Sequence, residues 1–303
     1  MSDTGYLEYP ERRLGYDHQL YQWEILFDRE PKAPGKLAVI PVVPVQWFPF
    51  KRGAAFPPMG APSKEHPDYR EWSWKDYGAR VGIFRILATL NSAGATPTIA
   101  IDAESCRRYP RIVEEIGRQN LDVVAHGVSA ADVHHDGLEI DAERALIDES
   151  VTTVRDATGR TVDGWLSPSR STSRNTHQLL AGAGISYTLD WANDDLPYPL
   201  STTESTVTSL PLSHELHDVN SIWQLRHTAP EWADQVRDSV SMLAAEAAES
   251  GNRTLGLILT PWLLGQAHRV PSLRRALAAV TETPGASWAS MQQALRSPRA
   301  AAS

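Results

Sequence analysis

The stretch "TPTIAIDAESCRRYPRIVEEIGRQNLDVVAHG", Thr96–Gly127, reads as strand, helix, strand. "TPTIAI" is a short apolar run. "DAESCRRYPRIVEEIGRQN" has helical character broken near Pro110, and proline suits the first turn of a new helix. "LDVVAHG" is again apolar, too short for a helix, and delivers His126 and Gly127 at its end. Short buried strands separated by helix-length connections are the unit of a parallel α/β sheet.

The same alternation extends in both directions. Upstream, "KLAVIPVVPV" (Lys36–Val45) is nearly continuously apolar, as in a strand covered on both faces. Pro41 and Pro44 sit awkwardly there, because proline cannot donate to a ladder; Pro44 is expected to mark the strand's end. "DYGARVGIFRILATLNSAG" reads as a helix closed by Gly94. Downstream, "TVDGWLSPS", "ISYTLD", "TVTSLPLS" and "RTLGLILT" read as strands. "DAERALIDESVTTVRDATG", "TSRNTHQLLAGAG", "EWADQVRDSVSMLAAEAAESG", "VPSLRRALAAVTET" and "SWASMQQALRS" read as helices. About seven strands alternating with helices predict an α/β fold with a mostly parallel sheet. A closed barrel and an open doubly wound sheet both satisfy the pattern. Residues 1–35 read as an irregular N-terminal arm and 36–303 as a single domain. "FPFKRGAAFPPMGAPSKEHPDYREW" (Phe48–Trp72) is a long Pro/Gly-rich excursion, and such loops in compact domains usually serve function.

Composition narrows the function classes. The formal charge is -8 and there is no dense Lys/Arg run, which argues against nucleic acid as a partner. The lone cysteine, Cys106, excludes a disulfide framework within one chain and suits a reducing compartment. "MSDTGYLEYPERR" does not resemble a secretory signal, and no apolar run reaches the roughly 18 residues a membrane span needs. A cytoplasmic protein acting on a small molecule is expected, with homo-oligomerisation left open. No strand is followed by G-x-G-x-x-G or a P-loop, so no dinucleotide or nucleotide cofactor is expected. The chain has ten tryptophans, several beside prolines or polar residues; these are either core packing or the aromatic walls of a concave site.

Ligands of parallel α/β folds bind at the carboxyl ends of the strands. The residues following each strand are therefore the candidates. They are Gln46 and Trp47; Asp102; His126; Ser167, Ser169 and Arg170; Asp190, Trp191, Asn193, Asp194 and Asp195; His214, Glu215, His217 and Asp218; and Thr260, Pro261 and Trp262, with His268 further on. His126, between a buried strand and Gly127, is either a proton-transfer residue working near neutral pH or a strand cap bonded to backbone. His134 and His135 are adjacent, so their rings diverge, and both are expected in solvent. The acids of "DWANDDLPY" (Asp190–Tyr198) either share a proton as acid and base, hold a hard cation, or cap a turn. "HELHD" (His214–Asp218) places two histidines about one helical turn apart if helical, but it lacks the H-E-x-x-H pattern of zinc sites.

"WKDYGARVGIFRILATLNSAGATPTIAI", "ESCRRYPRIVEEIGRQNLDVVAHG", "GWLSPSRSTSRNTHQLLAGAGISYTLDWANDDLPY" and "LILTPWLLGQAHR", in this order, resemble the polysaccharide deacetylase superfamily. The resemblance is strongest to its branch of cofactor-independent allantoinases and cyclic amide or imide hydrolases, and it covers roughly residues 36–272. It implies a distorted, NodB-homology-like (β/α) barrel of about seven strands and hydrolysis of non-peptide carbon–nitrogen bonds. It also implies departures. Gln46 stands where the branch carries an acid. Ala130 stands four residues after His126, in place of a second histidine. Leu166 replaces an arginine after Gly-Trp, and Thr260 replaces a histidine before Pro-Trp. A three-ligand catalytic metal is therefore not expected. Only Asp102 and the 190–195 acids leave a route to an unusual ion site.

The expected function is a metal-independent hydrolase of a small cyclic amide, imide or ureide. His126 would move the proton, and Asp190, Asp194 or Asp195 would orient it or take the opposite proton role. Gln46, Ser169 and Thr260 would donate to the oxyanion, and Trp191 and Trp262 would wall the ring, with Trp47 and Arg170 also binding substrate. Two other readings stay open. One is a lyase, isomerase or decarboxylase with Arg170 or Arg174 on a substrate carboxylate. The other is a non-catalytic homologue.

Overall fold

The computed structural model describes residues 34–50 and 69–296, apart from Ser201, Thr203 and Glu204. The N-terminal arm and most of the Pro/Gly-rich excursion lie outside the described residues.

Among the described residues, nine strands form one sheet: β1 (Leu37–Val45), β2 (Thr98–Ile101), β3 (Asp122–Ala125), β4 (Gly164–Trp165), β5 (Tyr187–Thr188), β6 (Tyr198–Leu200), β7 (Val207–Ser209), β8 (Arg253–Ile258) and β9 (Ala286–Trp288). Their order is β6-β7-β5-β4-β3-β2-β1-β8, with β9 beside the start of β1. Every pairing is parallel except β6–β7. The sheet curls until the chain beyond β7 meets β8 through a single bridge, Leu212–Gly256. That approach requires glycine: a Cβ at Gly256 would lie 2.1 Å from Leu212 Cδ2. The result is a distorted (β/α) barrel.

Both prolines of β1 sit where no ladder donor is needed. Odd residues of β1 face β9 and then β2, as Leu37 N bonding to Gly285 O and Val45 O accepting from Asp102 N demonstrate. Pro41 falls between the stretch paired with β9 (to Val39) and the stretch paired with β2 (from Val42). Pro44 faces the β8 side, beyond the last β8 pair at Val42. A central strand thus tolerates prolines at breaks in its neighbours, and β1 runs one residue past Pro44.

The expected helices form. They include α2 (Ile83–Ser92), α3 (Ala103–Arg108), α4 (Pro110–Gln119), α5 (Ile140–Thr158), α6 (Thr176–Gly182), α7 (Ala229–Ser250) and α9 (Val270–Glu282). Upstream of α2, α1 (Tyr69–Tyr77) and a π-helical turn (Gly78–Gly82) extend the element. Between α7 and α9 lies the one-turn α8 (Pro261–Leu264). The C-terminal "SWASMQQALRS" is not one helix: its start joins β9, and only Met291–Leu295 (α10) is helical. β6 and β9 have three residues each, too few for periodicity to declare them. Alternation along β1 sends Ile40 and Val42 into the barrel with Val124, Leu166, Leu189 and Ile258, and Met291 of α10 packs into the same cluster. Val39, Val43 and Val45 face the helical shell. Among the described residues, no helix is long and apolar enough to cross a membrane.

Candidate active site

The barrel interior is not filled at the carboxyl ends of its strands. A cavity of about 1010 Å³ opens there, floored by Pro44, Leu166 and Ile258. Gln46 after β1, His126 after β3, Ser167 after β4, Asp190 after β5 and Thr260 after β8 reach its wall. Trp191 and Trp262 stand in the wall, and His214 and His217 enter from the loop beyond β7.

His126 is buried, and its Nδ1 lies 2.6 Å from the Leu166 carbonyl oxygen. A carbonyl only accepts, so Nδ1 carries the proton and Nε2 keeps its lone pair. Burial holds the ring's pKa below the ordinary histidine range, against the opposing pull of the Leu166 carbonyl and Asp190. The backbone turns sharply after it: Gly127 has φ +76°, and a Cβ there would lie 2.3 Å from Pro168 Cγ. Glycine is required on both counts.

Asp190 is held from three sides. Oδ1 accepts the Ser167 N–H at 2.6 Å, and Oδ2 accepts the hydroxyls of Ser167 at 2.9 Å and Thr188 at 2.8 Å. Trp165 Nε1 donates to Ser167 Oγ at 2.8 Å, which orients that hydroxyl toward the acid. Arg170 lies alongside, its Nε donating to Asp190 O at 3.0 Å and its Nη2 to Leu212 O at 3.1 Å; Nη1 is buried without a partner. Ser169 and Arg170 both take left-handed backbone conformations, φ 56° and 55°. Two consecutive non-glycine residues in that region store strain, which typically gathers where a loop is shaped for function.

Thr260, expected as an oxyanion donor, has no donor to spare. Its N–H and hydroxyl both bond to Asp218, each at 2.7 Å. Burial outweighs these bonds and pushes Asp218 up to about 7. His217, with Nε2 3.7 Å from Asp218 Oδ1, is pushed down to about 3 by burial and then by the charge of Arg170. Asp102 is a structural cap: Oδ1 accepts Ser105 N at 2.6 Å at the start of α3, and Oδ2 accepts Trp47 N at 2.7 Å. Burial raises it to about 8.

These shifts predict the pH dependence of stability. Asp102 and Asp218 bind protons more tightly folded than unfolded, so stability falls as pH rises from the ordinary carboxylate range through about 7–8. His126, His177 and His217 bind them less tightly folded, so stability is lost as pH falls below the ordinary histidine value. The two sets oppose each other around and below pH 6.5; over the next pH unit the histidine contribution fades and the aspartates prevail. The urea midpoint is expected to peak near pH 6.5 and to fall by pH 7.5, with a loss of roughly 1 kcal/mol of unfolding free energy. A midpoint that climbs across that interval would contradict the assignment.

The remaining expected residues separate. Asp194 and Asp195 line a different hollow, with Pro211, Leu212 and Glu215. Asp194 Oδ1 accepts Leu196 N at 3.1 Å, the turn-capping alternative, and Asp195 offers its backbone oxygen to Thr254. The ring of Trp47 lies under the Arg108 guanidinium at 4.1 Å and is not part of the cavity wall. Gln46, Ser169, Arg170, Trp191, Thr260 and Trp262 all line the cavity. His135 is exposed, as expected. His134 is not: it is fully buried, edge-on to Trp165, with Nδ1 3.1 Å from Glu143 Oε1. Ser173 and Thr176 also donate to Glu143, at 2.6 Å each. Burial raises the Glu143 carboxyl, but the three bonds together hold it below its ordinary range. Arg174 is exposed on Asp136, away from the cavity.

A polysaccharide deacetylase family model matches residues 75–188. A probable polysaccharide deacetylase from Pseudomonas aeruginosa PAO1 superposes with a TM-score of 0.77 at 19% identity, covering 91% of this chain and 97% of that one. The Puue allantoinase gives 0.78 at 21% identity, covering 91% and 96%. The fold is that of the polysaccharide deacetylases. A putative polysaccharide deacetylase from Mycobacterium smegmatis is similar too, with a TM-score of 0.70 at 22% identity over 87% of this chain and 92% of that one. No curated protein matches the sequence significantly.

The metal triad that the deacetylase resemblance implies does not fit the residues present. Among the described residues, no group of three His, Cys, Asp or Glu side chains gathers closely enough to hold an ion. The cavity wall also carries Asp190, His214 and His217, but they do not gather with His126 closely enough, and Gln46, Ala130 and Thr260 stand where the resemblance places ligands. Sequence reasoning passed over Lys75, which is buried, paired with Glu71 at 3.0 Å and brought down to about 8 mainly by burial. It lies 4.9 Å over the Phe48 ring, beside the pocket wall behind Gln46. Its only signal was a lysine set among tryptophans in "EWSWKDY".

Proposed function

We propose that this protein hydrolyses a non-peptide carbon–nitrogen bond in a small cyclic amide, imide or ureide, without a metal. The observation that carries the reading is His126, a buried imidazole on the cavity wall with Nδ1 tied to Leu166 O and Nε2 left as base. Nε2 takes a proton from water as its oxygen attacks the ring carbonyl carbon. The developing oxyanion is met by Gln46 and Ser169, and the Arg170 charge lies close by. The carbon–nitrogen bond then breaks, and the leaving nitrogen receives the proton from His126. Asp190 holds the loop that carries Arg170, and Trp191 and Trp262 flank a flat ring. The likeness to a protein named as an allantoinase supports this substrate class.

A binding-only role would suit strand ends plugged by apolar side chains, and the open cavity with polar groups set in its wall speaks against it. A non-hydrolytic reaction on a small acid draws support from Arg170 on the wall. One experiment separates the readings. Allantoin, hydantoins and succinimides are incubated with the protein in heavy-oxygen water, before and after exhaustive chelation. Ring opening with label in the new carboxylate, unchanged by the chelator, is expected. Turnover without label would favour the non-hydrolytic reading; activity lost on chelation and restored by one metal per chain would overturn the metal-free one.

A further inference from the structure

A second hollow, of about 500 Å³, lies between the chain entering α7 and the start of α9. Its wall includes Arg226, Arg269 and Arg275, and no aspartate or glutamate, in a chain whose formal charge is -8. Arg226 is exposed, has φ 63°, and its guanidinium lies 5.0 Å from the Trp223 ring. Among the described residues, neither Arg226 nor Arg269 forms an ion pair with a carboxylate; the Arg269 guanidinium donates to Leu263 O at 3.3 Å and feels the charge of Asp218 at longer range. Arg275 is fixed by Pro230 O at 3.1 Å and Asp234 at 2.9 Å.

Thr228 of the wall is spent on Glu231, but His227 is placed to donate. Ser221 Oγ donates to Gln235 Oε1 at 3.0 Å, so Gln235 presents its amide nitrogen to His227 Nδ1, also at 3.0 Å. The His227 ring proton therefore sits on Nε2. The thirteen-residue α9 starts at this wall without a side-chain cap, and Ser272 of its first turn lines the hollow. Guanidinium forks, an imidazole N–H and uncapped helix amides are together the donor set of an oxyanion site.

We infer that this hollow binds a phosphate dianion, free or as a phosphomonoester, separately from the catalytic cavity. The π-helical turn Val219–Gln224 touches both: Val219, Asn220 and Gln224 line the cavity, and Ile222 lines the hollow. A ligand here is thus placed to bias the far wall of the cavity, but its binding is measurable without any turnover.

The test is calorimetric titration of the full chain with inorganic phosphate, and separately with phenyl phosphate, at low ionic strength in a phosphate-free buffer. Saturable one-to-one binding is expected, undiminished by chloride at matched ionic strength. Arg226→Gln and Arg275→Gln should each weaken it about tenfold or more, the usual effect of losing a charge-assisted bond. Arg111→Gln should not change it, because Arg111 is exposed and pairs with Glu114 on α4, outside the hollow. Tighter binding of phenyl phosphate identifies an ester ligand; binding of phosphate alone identifies the free ion. If Arg275→Gln fails to fold, Arg226→Gln decides, since Arg226 is exposed. No saturable binding at millimolar phosphate, or binding untouched by Arg226→Gln, overturns the inference.

Discussion

Replacing His126 by asparagine is expected to lower turnover about 10²–10⁴-fold while leaving the fold intact, the usual effect of deleting a positioned acid or base. Asparagine keeps a donor for the Leu166 oxygen that the His126 ring bonds to, but it cannot accept and release a proton near neutral pH. The melting temperature should therefore stay within about 4 °C of the parent. The pH profile separates chemistry from packing. A base whose pKa is lowered by burial stays unprotonated to more acid pH, so the parent should lose activity only below the ordinary histidine range. The variant's residual activity should lack that limb. His135→Asn is the control: His135 is exposed, and its Nδ1 accepts only Gly137 N, so a change of less than about threefold is expected. An active His126→Asn beside an inactive His135→Asn would remove His126 from the mechanism. A variant that does not fold would make it a strand cap.

The legible parts of this fold were those whose signal spans many residues. β1, β2, β3 and β8 are continuous apolar runs, and α5 and α7 carry a long amphipathic period. β4 and β5 have two residues each, so only their neighbours in the alternation betrayed them. Barrel closure through Leu212 and Gly256 was invisible, because it depends on one close approach between distant segments. The site divides the same way. Strand-end position anticipated that His126, Asp190, Gln46 and Arg170 line one cavity, because a strand's end fixes where the next residue points. It did not separate Asp190 from Asp194 and Asp195: the chain turns away after Trp191 and takes those acids to another hollow. His134 was read as solvated because its partner, Glu143, comes from the next helix and its neighbour Trp165 from the next strand. Burial created by long-range packing leaves no mark on the local sequence. Thr260 reached the cavity as expected, yet its bonding to Asp218 removes the role proposed from position alone.

Asp190→Asn is expected to have the largest effect on stability, a loss of about 2–4 kcal/mol of unfolding free energy. The carboxylate accepts from one backbone N–H and two hydroxyls, all buried. An amide has one accepting oxygen, so its NH₂ must face at least one of these donors. If the oxygen keeps Ser167 N–H, the amide nitrogen meets the hydroxyls of Ser167 and Thr188. Those can rotate, but the Ser167 hydroxyl is already committed as acceptor from Trp165 Nε1. Losing the negative charge also leaves the Arg170 guanidinium, mostly buried and with Nη1 already unbonded, without its nearby counter-charge. Both effects destabilise the left-handed turn at Ser169 and Arg170 that shapes the cavity. Turnover should fall with stability, and substrate affinity should weaken more than in His126→Asn, because the wall moves rather than the base. Asp194→Asn supplies the comparison: its oxygen can still accept Leu196 N, and a change within about 0.5 kcal/mol is expected. Urea denaturation of both variants measures the difference. Equal midpoints would mean that the Ser167 and Thr188 hydroxyls turn to accept from the amide at no cost, and that the carboxylate's bonds do not hold this loop.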